Sequence, residues 1–419
     1  MAWIVFCLNK YDGGVAMIDS GDTAWVLTAS ALVLLMTPGL AFFYGGLVRR
    51  KNIVSTIMYS FVTIGLVGIV WVLWGYSLAF GPDIGGFIGN LEWFGLKGVS
   101  ADAPGPYSDT IPHQAFMIFQ AMFAIITPAL VTGAFAERMK FSALCVFIVL
   151  WVTIVYAPLA HWVWGGGWLG DLGALDFAGG TVVHISAGAG ALASALVIGR
   201  RIGFLQEPMG PANVPMVILG AALLWFGWFG FNAGSSLAAD GVATNAFVVT
   251  NASAAAAMIA WLMMSWLIDK KPSAVGAASG AVAGLVALTP AAGFVGSMPA
   301  LIIGLGAGVF CYGMVKVLLK LKVDDALAVF GVHGVGGAWG ALATGLFVGI
   351  GYAALGDGVS RGEQIVNQLI GIGASFGWAF AVTGAIMLAI KYTIGLSADE
   401  EGEATGLDIS EHGTPAYEV

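Results

Sequence analysis

The chain has 419 residues, of which 59% are hydrophobic and 10% charged, with a formal net charge of −8 and a mean hydropathy of +0.90. Soluble globular domains carry charge on about a quarter of their residues, so water is excluded as the main solvent, and no nucleic-acid partner is expected. The cysteines, Cys7, Cys145 and Cys311, imply no disulfide framework. A short apolar run from Ala2 to Leu8 lacks a basic flank and a cleavage site, which argues against a signal peptide.

In chain order, apolar stretches long enough for the roughly 20 residues that cross hydrocarbon as a helix fall near 23–47, 54–80, 112–135, 141–163, 178–199, 214–234, 243–268, 274–297, 299–320, 325–350 and 364–391. The expected fold class is therefore an all-α integral membrane protein with eleven transmembrane helices. Glycine is abundant, and the ladder Gly276, Gly280, Gly284 suits helices whose backbones approach closely in lipid. Arg49, Arg50, Lys51, Arg138, Lys140, Arg200, Arg201, Lys270, Lys271, Lys316, Lys320, Lys322 and Lys391 all fall on one side of these spans, which marks it as cytoplasmic. The other side holds Lys10, Lys97 and Arg361 against twelve acids with Asp176 counted there, a balance that favours cations as clients. The N-terminus is then outside, the C-terminus is cytoplasmic, and the protein is multi-pass in the cell membrane.

The fifth and tenth spans repeat each other. Val183-His184 is followed by Ala191-Leu192-Ala193-Ser194-Ala195-Leu196, and Val332-His333 by Ala341-Leu342-Ala343-Thr344-Gly345-Leu346. An acid stands eight residues before each histidine, Asp176 before His184 and Asp325 before His333. With five spans in each half, the second half enters the membrane upside down. The expected organisation is an outer N-terminal segment (1–22), a first five-helix repeat (23–199), a cytoplasmic loop (200–213) and a second, inverted repeat (214–350). An eleventh helix with its preceding outer loop (351–395) and a cytoplasmic regulatory tail (396–419) complete it. Each histidine then lies about 12 Å along its helix from an acid near the opposite faces, so both come near the midplane.

Ionisable groups at that depth are costly and mark function by default. Two imidazoles can hold and pass a proton and can hydrogen-bond a small polar guest. No further Cys, Asp or Glu is available there to complete a metal shell, and no cofactor is expected. Phe119 and Phe123 share a helix face, and Trp225, Trp228 and Phe231 recur at three-residue spacing, a pattern that also suits core packing. Trp164 and Ser235 come at outer helix ends, where an indole face attracts a cation and a hydroxyl accepts its hydrogen bond. Asp176 opens a helix, so its carboxylate can cap backbone N–H groups and favour nearby positive charge. The tail is acidic enough to read as a disordered end. No nucleophile, metal set or cofactor motif points to an enzyme.

The strings Ala41-Phe42-Phe43-Tyr44-Gly45-Gly46-Leu47-Val48-Arg49, Gly173 to His184 (GALDFAGGTVVH), Trp228 to Ser235 (WFGFNAGS) and Phe330 to Gly334 (FGVHG) resemble signatures of the Amt family of ammonium transporters. So does the tail string Gly406-Leu407-Asp408-Ile409-Ser410-Glu411-His412-Gly413, and the resemblance spans nearly the whole chain. It implies that Trp164, Ser235 and Phe123 recruit ammonium outside and that Phe123 and Phe231 form a gate. His184 and His333 would be the twin histidines of the pore, with Trp228 and Phe119 lining it and Asp176 as electrostatic support. It further implies a homotrimer with one pore per protomer, a regulatory tail carrying Gly406, Asp408, Glu411 and His412, and a PII-type (GlnK-like) signalling partner at the cytoplasmic face. Arg138, Lys140, Arg200 and Lys320 are the expected partners of Asp408 and Glu411. Ala328 departs from the family, many of whose bacterial members have an acid there. The alternatives are a Rhesus-type ammonia or carbon dioxide channel, which generally lacks the outer cation site, and an ammonium sensor acting through a bound partner.

Overall fold

The computed structural model describes residues 17–417, so the apolar run at 2–8, Cys7 and most of the expected N-terminal segment lie outside the described residues. The long helices are α1 (Ser20–Leu47), α2 (Arg50–Phe80), α3 (His113–Ala134), α4 (Phe141–Leu172), α5 (Gly180–Ile198), α6 (Val214–Ser236), α7 (Gly241–Ile268), α8 (Ala274–Leu288), α9 (Ser297–Lys320), α10 (Val335–Phe347) and α11 (Arg361–Thr393). Two short helices, α12 (Glu400–Thr405) and α13 (Leu407–Ser410), form the tail. Between α2 and α3 lie two antiparallel ribbons, β1 (Asp83–Ile84) with β2 (Ile88–Gly89) and β3 (Pro104–Gly105) with β4 (Ser108–Pro112).

Among the described residues nine helices are long and apolar enough to cross a membrane. α8 and α10 fall short of that length. α8 ends at Leu288, where the expected span continued to 297, because Pro290 cannot donate to a helical ladder. The tenth helical segment begins at Phe330 rather than 325: Asp325 serves as its cap, and Ala328 between them takes a left-handed backbone, φ 58°. Starts elsewhere follow the same logic. Asp19, Asn213, Asp240, Ser273 and Ser360 each accept a backbone N–H of the first turn of the helix that follows.

Small residues set the helix spacing. A Cβ on Gly284 would stand 2.5 Å, and one on Gly304 2.3 Å, from the carbonyl oxygen of Ser253, so α8 and α9 both press on the α7 backbone. Large apolar side chains such as Leu27, Phe61, Ile69, Phe226, Trp266 and Leu267 stay exposed on the outside of the bundle, an arrangement suited to lipid rather than water.

Inner denotes the face that carries Arg49, Arg138, Arg201 and the tail. There Asp324 accepts from Arg138 Nη1 at 2.9 Å and from Arg201 Nη2 at 2.7 Å. Burial lowers the Arg138 guanidinium to about 10 in spite of that partner. Burial alone would raise Asp324, yet the Arg201 hydrogen bond and the Arg138 charge hold its carboxyl below the usual range.

The tail is docked, but not on the expected basic side chains. Asp408 Oδ1 accepts the Ser55 amide at 2.8 Å, and Glu411 Oε2 the Phe141 amide at 3.0 Å. Arg138 is committed to Asp324, and Arg200 donates to the Lys322 carbonyl. The reason is that α2 and α4 begin at this face, and helix starts offer unsatisfied N–H groups with favourable dipoles to any nearby carboxylate. His412 packs edge-on against Phe141, 5.0 Å between ring centroids. Lys51 Nζ donates to the Glu403 and Ala404 carbonyls at 2.8 and 2.6 Å, closing the end of α12. Gly406 has φ 112°, and a Cβ on it would meet Lys51 at 2.5 Å, so no larger residue fits.

Candidate functional site: a cavity beneath paired histidines

Asp176 organises the start of α5. Its Oδ1 accepts the amides of Gly179 (2.8 Å) and Gly180 (2.6 Å), and its Oδ2 those of Thr181 (2.8 Å) and Val182 (3.2 Å) together with the Thr181 hydroxyl. Only a carboxylate satisfies so many donors at once. Gly179 allows the tight entry with φ 114°. The chain then runs through a π-helical turn, Gly180–Ile185, which carries His184. A second π-helical turn, Phe330–Gly334, carries His333. Such turns widen a helix by one residue and re-aim its side chains; sequence periodicity gave no sign of them.

The two turns bring the imidazoles together. His184 Nδ1 and His333 Nδ1 are 3.3 Å apart, and both residues are buried. Two ring nitrogens in contact must be one donor and one acceptor, so a single hydrogen lies between them when the pair is neutral. His184 Nε2 is buried without a partner. The His184 ring stacks on Trp228 (centroids 5.4 Å) and on Phe231 (5.9 Å). Trp228 is itself fixed by its Nε1–H donating to Thr289 Oγ1 at 3.0 Å, a support that reading the sequence missed.

Towards the other face, Phe123 lies against Phe231 with ring centroids 4.3 Å apart, and Phe119 meets Phe123 edge-on at 5.0 Å. The Trp164 ring stands edge-on to Phe123 at 6.1 Å, and its Nε1–H is spent on the Asp176 carbonyl at 2.9 Å. What Trp164 can offer a guest is therefore its face. Ser235 Oγ donates its hydrogen to the Phe231 carbonyl at 2.9 Å, leaving lone pairs to accept. Thus Trp164, Phe123, Phe119, Phe231, Trp228, Asp176 and both histidines form one contiguous set, with Ser235 joined to it through Phe231; Gly406, Asp408, Glu411 and His412 lie apart, at the inner face.

A cavity of about 320 Å³ runs from Phe231, Trp228, His184 and His333 to Ser265, Asp269, Tyr312 and Lys316 at the inner side. Its walls near the histidines are Met36, Leu40, Ile126, Leu130, Val183 and Leu224. An ion loses its hydration there without replacement, while a small neutral molecule with one or two hydrogen-bonding sites does not. Among the described residues no group of three or more His, Cys, Asp or Glu side chains is placed to hold a metal.

Many apolar helices around a histidine-lined cavity define a multi-pass membrane protein built for passage. The sequence profile of the Ammonium Transporter Family matches residues 24–417. The chain is 52% identical to an ammonium transporter of Bacillus subtilis, over 96% of this chain and 99% of that one. It is 47% identical to ammonium transporter Amt1 of Archaeoglobus fulgidus, over 96% and 100%. Among solved structures it is similar to yeast (Saccharomyces cerevisiae) Mep2, with 37% identity, a TM-score of 0.84 and coverage of 91% of either chain. A protein described as a sensor Amt protein superposes with a TM-score of 0.87 at 31% identity, covering 94% and 98%. The chain belongs to the ammonium transporter family, and it is a transport protein rather than an enzyme.

Proposed function

We propose that this transporter recruits ammonium between Trp164, Ser235 and Phe123, that ammonium gives up a proton to water near the Phe123–Phe231 pair, and that ammonia then passes along the cavity past His184 and His333. The observation that carries this reading is the pair of buried imidazoles stacked beneath closed phenyl rings, at the head of an apolar cavity. Carrying an intact cation into that setting is very costly without compensating ligands. Ammonia can donate to a ring nitrogen and accept from another, so it replaces its water partners as it passes. The unpartnered His184 Nε2 is available for such a bond. Asp176, held in place by four backbone amides, favours the cation electrostatically before the proton leaves.

In this reading the protein has eleven spans, two inverted five-helix repeats and a final helix, with the N-terminus outside, in the plasma membrane. It works as a homotrimer with one pore per protomer, and the docked tail serves as the contact through which a PII-type protein tunes the pores. The experiment is flux and current in liposomes holding the purified protein, driven by ammonium pulses. His184→Ala and His333→Ala are expected to change ammonium flux, or its coupling to protons, by about tenfold or more, of the order of 1.4 kcal/mol. Unchanged flux, current and selectivity in the double variant would sink the mechanism, and absence of any flux in the parent would favour the sensor alternative.

A further inference from the structure

The inner end of the cavity holds a cation already. Lys316 Nζ, on α9, donates to Asp269 Oδ1 at 2.7 Å and lies 5.3 Å from the centroid of the Tyr312 ring. The Tyr312 hydroxyl donates to the other carboxylate oxygen, Asp269 Oδ2, at 3.0 Å. Asp269 comes from a different element, the residue just after α7, so this is not a neighbouring pair along one helix. All of these residues line the same cavity as the histidines. The Lys316 hydrogen bond is the largest influence on the Asp269 carboxyl and, with the Tyr312 hydrogen bond and the Lys316 charge, holds it below its ordinary range against burial, which pushes the other way.

We infer that Asp269 and Tyr312 form an ammonium-binding site at the inner mouth, kept filled by the tethered ammonium group of Lys316. A lysine head and free ammonium carry the same charge on a nitrogen bearing only N–H donors, three in the lysine, where the tether takes the place of the fourth. A carboxylate oxygen and an aromatic face are what such a cation binds when part of its water is removed. The tether gives the lysine head an effective concentration in the millimolar range or above. Ammonium from solution must compete with that, so the filled site neutralises the mouth and binds free ammonium only when it is abundant. The choice of ammonium as ligand rests on the transport reading, while the existence of the site does not.

An exposed ion pair alone would show none of this, and Lys316 and Asp269 are each a little over 40% exposed, 42% and 43%. The test is a titration of the purified full-length protein carrying ring-labelled tyrosine, with the Tyr312 resonance assigned by its loss in Tyr312→Phe. Ammonium chloride is compared with sodium chloride at equal ionic strength. In Lys316→Gln the Tyr312 signal should saturate at about tenfold lower ammonium than in the parent, the factor a tethered competitor imposes when its effective concentration is about ten times the dissociation constant. Lys316→Arg, which retains the tethered charge, should saturate no earlier than the parent, and Lys316→Gln with Asp269→Asn should show no ammonium-specific shift. The inference is overturned if Lys316→Gln saturates no earlier than the parent, if sodium gives the same shift, or if the double variant still responds. Parent flux in liposomes is read separately: flux without the Tyr312 response removes this site alone, and the response without flux removes the transport mechanism alone.

Discussion

Asp176 and Asp325 stand at the same distance before a buried histidine, and each caps a π-helical turn, yet their surroundings differ. Both oxygens of Asp176 are filled by amides and a hydroxyl. Asp325 Oδ2 accepts the Phe330 amide at 2.8 Å, while its Oδ1 is buried with no partner. Burial raises the Asp325 carboxyl to about 6, against the pull of the Phe330 and Val329 amides and the Arg138 charge. Asp176 thus has both oxygens engaged by donors, whereas Asp325 leaves a group that takes up a proton near pH about 6. Two copies of a sequence pattern can share a geometry and still differ in electrostatics, because the number of donors around an oxygen is decided by neighbours outside the repeat.

The comparison breaks most visibly if the two acids are truncated. Asp176→Ala strands the amides of Gly179, Gly180, Thr181 and Val182 inside the bundle and is expected to cost about 3–5 kcal/mol. Asp325→Ala, compared below pH about 4 where its charge is absent, loses one cap, about 1–2 kcal/mol. Chemical or thermal unfolding in detergent checks both, and equal losses would end the distinction.

Asp325→Asn sharpens it. The amide oxygen can still take the Phe330 N–H, but the charge is gone. A carboxyl raised by folding stabilises the protein fully below its unfolded value and loses that contribution as pH rises through about 6. The variant should therefore gain about 1–3 kcal/mol over the parent at pH 8, with the gap closing below pH about 4. A gap independent of pH would refute the assignment. At the outer end, Trp164→Leu and Ser235→Ala should weaken apparent ammonium affinity by about 1–2 kcal/mol, roughly five- to thirtyfold, as flux against concentration will show. At the inner face, Gly406→Ala, strained by its left-handed backbone and by Lys51, should cost about 1–2 kcal/mol, the same as the outer-site variants, and accelerate hydrogen exchange in 400–412.

Much of this molecule is legible from residues alone because lipid imposes a simple rule. An apolar stretch of sufficient length must be a helix, so most span positions follow from composition. The pairing of His184 with His333 was open to inference from a repeated string. Other features depend on contacts that no periodicity records. The π-helical turns that carry the histidines follow Asp176, which captures four amides, and Asp325, which captures that of Phe330. The unfilled oxygen of Asp325 is a lack of donors, which no sequence motif encodes. The tail's acids suggested arginine and lysine partners, whereas Ser55 and Phe141 supply backbone amides that nearly every residue possesses and that therefore leave no signature. Lys316 and Asp269 lie far apart in the chain, and their meeting depends on how α7 and α9 cross.

The lone hydrogen between the two imidazole Nδ1 atoms gives the pair a polarity at every instant. If His184 donates, its Nε2 accepts; if His333 donates, the His184 Nε2 carries a hydrogen instead. Each state presents the opposite end of a dipole to the cavity at His184 Nε2. A relay step that moves hydrogens in one direction through the pair leaves it reversed, so the next cycle begins only after both rings have exchanged roles. The pair then keeps a memory of one event. In the proposed transport reading, resetting the pair is then a step distinct from the passage of ammonia itself.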